Sequence, residues 1–421
     1  MDGKLTIRQW VAIAFLLRLL VMPFTLQGDL LHVNKYPFFM AHGDWHVYER
    51  AASDGVNYYP PLALIFISAY QFLAQFLFPP FESFLRSIAE SGSDSVISFD
   101  NLFFSLFLMK VPYLFFDGML LSVGWKLLSN DEERRTFTVF WAVNPLAIYA
   151  PYMMGQIDLI PVFFTVLACD YSLQKGKENL ACLSIAAGCL FKVFPIIFLP
   201  LVVLVAGRNL KDYLRLSLIA IVPVALVYGG FYWISGKAVF KIFLDVSYNF
   251  DASRNLQVVA LRVVQAGIYA LIAAHILFAV RKDIDYPLLV DYFLLIFLAV
   301  NGGIVVGFTH YWLWFLPFAV LFAIRQPRRR AVFYVLLTLI FLGGLRSRPA
   351  ALGVFAPLNP EFFLSLPALQ DVTGFLFDQG TYDSVIDLLT KAVLALAAVS
   401  ILKNLYTTAH FNFDWRRIIA R

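Results

Sequence analysis

Apolar runs of near-spanning length recur from one end of this chain to the other, and the polar segments between them leave no separate water-soluble domain. Hydrophobic residues make up 60% of the sequence and charged residues 14%, where a soluble domain carries about 25% charged residues. A water-soluble core cannot use that much apolar surface; lipid can accept it. In lipid every backbone polar group must be bonded internally, so the runs are helices or a closed barrel. They are continuous rather than alternating, which selects helices.

The sequence therefore predicts an all-α, polytopic membrane protein with about 12 transmembrane helices and a single transmembrane domain over 1–421. The expected spans are 7–27, 102–127, 134–150, 157–173, 179–191, 195–207, 214–234, 257–280, 286–308, 311–325, 331–345 and 386–404. The first run is too long for a signal-peptide core, carries Arg18 in its middle and lacks a small-residue cleavage site, so it reads as a retained span. The three cysteines, Cys169, Cys182 and Cys189, fall in or at the ends of spans and match no zinc or disulfide framework.

Lys and Arg set the expected orientation. Basic clusters at Lys126/Arg134/Arg135, Lys175/Lys177, Arg208/Lys211/Arg215, Arg281/Lys282, Arg325/Arg328/Arg329/Arg330 and Arg416/Arg417/Arg421 alternate with loops poor in both residues. The basic loops read as cytoplasmic. A crossing at Pro60–Phe78 would break the alternation, so that run is expected to lie in or dip into the outer interface, within one long outer loop, 28–101. A middle outer loop, 235–256, and a late one, 346–385, rich in Pro and Gly, complete that side. Loops of such length in a compact protein are usually functional.

The chemistry-bearing residues gather at this outer side. In the first loop, His42-Gly43-Asp44-Trp45-His46-Val47-Tyr48-Glu49 sets a carboxylate among histidines and aromatic rings. Asp44 there is a candidate general base, or a solvated acid capping an interfacial helix. His42, His46, Tyr48 and Glu49 are candidate substrate contacts around it. Asn144-Pro145 and Gly155-Gln156-Ile157-Asp158 fall at an outer turn. Gln156 and Asp158 can hydrogen-bond sugar hydroxyls or position the base; the plainer alternative is that Asp158 caps the following helix. Lys192, in Lys192-Val193-Phe194-Pro195, can meet an anionic head group or snorkel to the interface. His310 precedes Tyr311-Trp312-Leu313-Trp314, rings expected as interfacial anchors, and can donate to a phosphate. Arg254, Arg262, Arg346 and Arg348 are the outer arginines whose planar fork suits phosphate. Within spans, Arg18, Asp117, His275 and Asp291 must face protein or water, and Arg18 is expected to pair with Asp117.

The ordered set Asp44-x-x-x-Tyr48, Tyr59-Pro60-Pro61-Leu62, Asn144-Pro145, Gly155-Gln156-x-Asp158, Lys192-x-x-Pro195 and His310-Tyr311-Trp312-Leu313-Trp314-x-x-Pro317 resembles the GT-C superfamily of membrane glycosyltransferases. Its nearest branch is the polyprenol-phosphate-mannose-dependent mannosyltransferases. The resemblance covers the first half of the chain plus the late stretch; 346–385 matches nothing in it. It implies interfacial helices in the first outer loop and a catalytic acid there, which falls on Asp44. It further implies a polyprenyl-phosphate-linked sugar as donor and a glycolipid, glycan or protein hydroxyl as acceptor on the non-cytoplasmic face, with membrane lipid but no nucleic acid as partner. Lys192, Arg254, Arg262, His310, Arg346 and Arg348 become the candidates for the donor phosphate. No adjacent acidic pair of the kind that binds metal in other branches stands in the matching motifs, so a metal-independent site with no other cofactor is expected, Glu49 and Asp158 leaving a metal open. A transporter or flippase of a lipid-linked sugar, using Arg18, Asp117, His275 and Asp291 as a pathway, is the main alternative; a non-catalytic lipid-phosphate-binding subunit is a third.

Overall fold

The structure is a computed structural model and describes residues 5–91, 96–241, 256–280, 284–301, 309–325, 335, 339, 352–367, 371–372 and 379–408. All regular structure among the described residues is helical. Of these helices, three are long and apolar enough to cross a bilayer: Ile7–Phe24, Leu102–Lys126 and Leu210–Phe240. Shorter apolar helices occur at Pro61–Leu77, Leu159–Ser172, Glu178–Phe191, Phe194–Ala206, Val263–Phe278, Tyr286–Ala299 and Leu316–Arg325.

Local chemistry sets where the first helices begin and end. Helix α1 (Ile7–Val21) opens with a capping box: Thr6 Oγ1 accepts from the Gln9 amide at 3.3 Å, and Gln9 Oε1 accepts from the Thr6 amide at 2.8 Å. It tightens into a 3-10 turn over Met22–Phe24, where Pro23 sits. The segment expected as the first outer loop follows as α2 (Gly28–Ala41), α3 (Val47–Ser53), α4 (Pro61–Leu77) and α5 (Pro80–Ser91). The expected helix at Pro60–Phe78 is thus present, and Phe72, Leu73, Phe76 and Leu77 lie on its exposed side. Such a contiguous apolar surface is not left to water by a soluble monomer.

Helix α6 (Leu102–Lys126) is about 37 Å long at 1.5 Å per residue. The expected span at 134–150 is instead divided. Helix α7 (Asp131–Ala142) starts with Asp131, Glu132 and Glu133 in its first turn, where they favour the positive end of the dipole. It stops before Asn144, whose side chain accepts from the Leu146 and Ala147 amides and starts α8 (Pro145–Ile148), with Pro145 at the first helical position. Then come α9 (Leu159–Ser172), α10 (Glu178–Phe191), a 3-10 turn at Phe194–Phe198, α11 (Leu199–Ala206) and α12 (Leu210–Ser235) with its 3-10 extension Gly236–Phe240. After them lie α13 (Leu256–Ala274), α14 (Tyr286–Asn301), a 3-10 turn Thr309–Trp314, α15 (Leu316–Arg325), a 3-10 turn Leu352–Phe355, α16 (Pro360–Ser365) and α17 (Gln379–Thr408). Apart from residues 335 and 339, the expected span at 331–345 lies outside the described residues.

Helices α6, α9, α10, α14 and α15 supply most of the main core, with Trp141, Phe198, Phe293 and Phe297 among its largest buried side chains. Several of the charged residues buried in it are held by hydrogen bonds. Arg18 Nε donates to Asp117 Oδ2 at 2.5 Å across α1 and α6, as the sequence leads one to expect. Asp117 also accepts from Trp141 Nε1 at 2.5 Å and the Tyr152 hydroxyl at 2.9 Å. Arg18 donates its remaining fork to the carbonyls of Ala14, Trp141 and Ala142. Lys110, hidden in the apolar run of α6, has no acidic partner among the described residues; its amino group donates to the carbonyls of Met22 (2.7 Å) and Thr25 (2.5 Å) and to Thr25 Oγ1 (2.9 Å). Carbonyls at a helix end carry partial negative charge, so a buried donor there fixes the exit from α1 and with it the start of α2.

Candidate functional site

The turn between α8 and α9, expected from the sequence on the outer side, is the centre of the site. Gly155 has φ +76°, a left-handed conformation, and a Cβ built on it would stand 2.7 Å from Leu30 Cβ and 2.3 Å from Leu30 Cδ1. The turn is thereby pressed against α2. Tyr113 holds it from the other side by donating to the Gly155 carbonyl at 2.9 Å. Gly155→Ala should destabilise the protein by about 2 kcal/mol or more, from a left-handed residue bearing a Cβ plus the clash with Leu30. The measurement is the thermal midpoint in detergent, and an unchanged midpoint would refute the close packing.

From this turn Asp158 points inward. It occupies the N-cap position of α9 but makes no capping hydrogen bond. Instead its fully buried Oδ1 accepts from Lys192 Nζ at 2.7 Å and from the Trp314 indole N–H. Oδ2 has no hydrogen-bond partner among the described residues. Lys192 follows the last residue of α10 and does not snorkel: its side chain is 13% exposed. Its ammonium sits against the rings of Tyr311 (4.7 Å), Trp314 (5.2 Å) and Tyr59 (5.6 Å), an arrangement in which ring faces attract a cation. Phe194 stacks on Trp314 at 4.1 Å, closing the cage from the 3-10 turn after α10. Tyr59 donates its hydroxyl to Gln156 Oε1 at 2.9 Å. His310 is buried beside Tyr311, with ring centroids 4.3 Å apart. Burial pushes its pKa down to about 4, against the opposing pull of Asp158, so the imidazole is neutral at pH 7 and carries one N–H and one lone pair.

Thus four residues singled out in the sequence, Gln156, Asp158, Lys192 and His310, converge from positions more than 150 residues apart. Tyr311 and Trp314, read from the sequence as interfacial anchors, and Tyr59, from the Tyr59-Pro60-Pro61-Leu62 stretch, belong to the same cluster.

A further carboxylate was not singled out by the sequence. Asp29, in the first turn of α2, is within electrostatic reach of Tyr59, Tyr311 and His310. Its amide is held by Gln27 Oε1 at 2.6 Å, while its carboxylate accepts no hydrogen bond from any described residue. The signal available was its place, a few residues beyond the first span.

Asp44 lies elsewhere in the first segment. Its Oδ1 accepts from the His46 amide at 2.9 Å, and its Oδ2 takes Arg50 Nη2 at 2.8 Å and Nε at 3.2 Å. Partial burial alone would raise its pKa; the Arg50 fork and the His46 amide outweigh that and hold it below the usual carboxylate value. No hydrogen bond or ion pair joins it to the Asp158 cluster among the described residues. Its neighbours are similarly engaged. His42 Nδ1 is 2.8 Å from the Phe38 carbonyl, with Nε2 3.5 Å from Glu82; His46 and Glu49 pair at 3.5 Å on the surface. Tyr48 is the link between the two regions: buried, it donates to the Tyr59 carbonyl at 2.8 Å.

Arg254, Arg346 and Arg348 lie outside the described residues. Arg262 is placed in α13 by its backbone alone. In the segment expected as the late outer loop, Val354 is buried against Tyr149 and Met154, and its carbonyl accepts from the Leu26 amide at 2.8 Å, at the exit of the first apolar helix. No cluster of three or more His, Cys, Asp or Glu able to hold a metal occurs among the described residues. No family model matches the chain, nor does any curated protein or solved structure.

Proposed function

We propose that this protein is a multi-pass membrane hexosyltransferase of GT-C type with about a dozen crossings. It moves a sugar, mannose in the first instance, from a polyprenyl-phosphate donor to a hydroxyl of a glycolipid, glycan or protein on the non-cytoplasmic face. The observation that carries this reading is the convergence of Gln156, Asp158, Lys192 and His310 with three aromatic rings beside the uncommitted carboxylate of Asp29. A cation, a neutral N–H donor, a carboxylate and aromatic faces are the groups needed to hold a sugar phosphate and move one proton.

In the proposed reaction an acceptor hydroxyl attacks the anomeric carbon, the bond from that carbon to the phosphate oxygen breaks, and the configuration inverts. Lys192 and the His310 N–H stabilise the departing phosphate. Gln156 and Asp158 Oδ2 meet sugar hydroxyls. The hydroxyl proton goes to a carboxylate of the first outer segment. The resemblance implies Asp44 for that role; the electrostatics favour Asp29, whose charge is felt at His310, Tyr59 and Tyr311 and which accepts no hydrogen bond from a described residue, whereas Asp44 is engaged by Arg50 and His46. We assign the proton transfer to Asp29 and to Asp44 the anchoring of α3.

The transporter alternative needs intramembrane charges that can exchange partners. Arg18 and Asp117 instead saturate one another and their surroundings, which favours the enzyme. The test uses purified protein in nanodiscs with radiolabelled polyprenyl-phosphate-mannose and a pool of membrane glycolipids. Transfer of label to a new product is expected; translocation of labelled lipid with no new glycosidic bond would reverse the assignment.

The orientation has its own test. Cys169, Cys182 and Cys189 are buried, so background labelling is low. A cysteine replacing Trp45, which is 48% exposed, should react with an impermeant maleimide from the outer face. A cysteine replacing Glu132, in the first turn of α7, should react only after permeabilisation. Labelling of both from one side would invalidate the topology.

A further inference from the structure

Helix α2 carries ionisable side chains at three-residue spacing, Asp29, His32 and Lys35, which sets them along one ridge of the helix. Asp29 stands at the site. Lys35 stands at the surface, where its ammonium meets Asp54 at 2.9 Å. His32 lies between them and is half-buried. Helix neighbours at this spacing have Cβ atoms about 5–6 Å apart, and helical side chains lean back over the turn N-terminal to them. The His32 ring therefore leans toward Asp29, whose charge acts on it.

Three tyrosine rings pack around His32, with centroids at 5.7 Å (Tyr58), 5.8 Å (Tyr36) and 6.2 Å (Tyr59). Each of their hydroxyl protons is committed elsewhere. Tyr36 donates to Asp54 at 2.9 Å, Tyr58 to the Val33 carbonyl at 2.6 Å and Tyr59 to Gln156 at 2.9 Å. His32 itself donates one N–H to the backbone carbonyl of Asn57. Burial holds its pKa below the ordinary imidazole value; Lys35 adds to this, while the Asn57 contact and Asp29 oppose it. The ring is thus neutral at pH 7, with a proton on the nitrogen facing Asn57 and a lone pair on the other. A ring that served packing alone has no use for that lone pair.

The proposed reaction does have a use for it. Once Asp29 has taken a proton, it must lose that proton before the next turnover. Besides His32, the described groups that feel its charge most are Tyr59, Tyr149, Tyr311 and His310. The phenols are un-ionised at pH 7 and are poor proton acceptors. His310 is buried and is assigned above to the departing phosphate. Among the described residues, His32 combines a basic lone pair with a place on the ridge that leads to the surface.

We propose that His32 relays the proton of the transfer reaction: the acceptor hydroxyl gives its proton to the Asp29 carboxylate as its oxygen bonds to the anomeric carbon, the Asp29 carboxyl passes that proton to the lone pair of His32, and His32 returns it to bulk water. This rests on the transferase reading and on Asp29 as its base. His32 acts through Asp29 and meets neither sugar nor phosphate, so it is a positioning residue for the proton.

Two measurements on the full-length protein in nanodiscs test the relay, and the first needs no turnover. Hydrogen–deuterium exchange at the imidazole C2, read by mass spectrometry, follows the titration of each histidine. Asp29→Asn removes a negative charge that favours protonated His32, so the His32 titration should move to lower pH. Exchange at His42, which faces Glu82, should not change. Lys35→Gln removes a positive charge and should move the His32 titration to higher pH. The second measurement is kcat against pH. In wild type kcat should fall on the acid side, where His32 is already protonated and accepts nothing. In His32→Gln kcat at pH 7 should drop roughly tenfold or more, the low side of what proton-transfer groups contribute, and the acid-side fall should move to lower pH. In Lys35→Gln the plateau should stay and the fall should move to higher pH. Added imidazole should restore part of the rate lost in His32→Ala. A packing role predicts neither the pH movements nor the rescue. An unmoved His32 titration in Asp29→Asn, or a wild-type pH profile in His32→Gln, would overturn the relay and leave the transferase reading standing. No sugar transfer from any donor, with the titrations moving as expected, would remove the transferase reading and the relay with it, leaving only a charge-coupled pair.

Discussion

Asp29→Asn should lower kcat for sugar transfer by about a hundredfold or more, the range expected when a general base is removed, while leaving donor binding within a few-fold. The amide keeps the shape of the side chain and its place at the start of α2, where the backbone N–H is already held by Gln27, so the variant should fold. Asp44→Asn should behave differently. It weakens the bidentate contact with Arg50 and the hold on the His46 amide, an exposed arrangement of the kind that contributes about 1 kcal/mol or less. Its cost should be under tenfold in kcat and should come with looser packing of α3, seen as faster amide exchange at 47–53. The discriminating quantity is the ratio of the two kcat values measured under one set of conditions. The reverse order would return the base to Asp44 and would mean that the segment before α3 moves onto the cluster when substrate binds, because no hydrogen bond or ion pair joins Asp44 to it among the described residues.

This distinction could not be drawn from the sequence. Asp44 stands in a dense motif of His, Trp and Tyr, whereas Asp29 is flanked by Gly28 and Leu30 and looks like an ordinary first-turn acid. What moves Asp29 to the site is tertiary: Lys110 pins the end of the first span through Met22 and Thr25, and Gly155 lets Leu30 approach the outer turn. Both are single residues in apolar surroundings with no periodic signal. Helical class, the apolar helices and the pairing of Arg18 with Asp117 were legible, because hydropathy and the cost of a lone charge in lipid are local or pairwise properties. The break at Asn144 was partly legible, since Asn-Pro is a helix-start pair, yet the apolar run through it still read as one span. The roles of Asp158 and Lys192 were open between local and tertiary chemistry: an acid before a helix suggests a cap, and a lysine at an interface suggests snorkelling. They resolve together once each is seen to be the other's partner. The aromatic stretch after His310 shows the same limit, because interfacial anchors and a cation cage use the same residues.

The Lys192–Asp158 pair should carry the largest single effects on stability. Asp158→Asn leaves an ammonium with an amide oxygen and ring faces but no counter-charge, and with 13% of its side chain exposed. Breaking a buried pair from one side costs about 3–5 kcal/mol, and Lys192→Met should cost a similar amount by stranding a fully buried carboxylate on the Trp314 indole alone. The double variant, Asp158→Asn with Lys192→Met, removes both charges, and the desolvation penalty disappears with them. Its thermal midpoint should recover most of what either single change loses. The coupling in this double-mutant cycle should therefore be favourable and larger than about 1.5 kcal/mol, well above the additive error for residues in contact. Activity should not follow stability. The recovered double variant has no cation under the three rings, so donor binding should stay at least about tenfold weaker than wild type, the loss expected for one charge-assisted hydrogen bond to phosphate. A double variant that is both stable and fully able to bind polyprenyl phosphate would make the pair a structural clasp and shift the phosphate site to other cations. A stable double variant that has lost only donor binding separates the two jobs of Lys192: it neutralises Asp158 while the site is empty, and turns to the phosphate when the donor arrives.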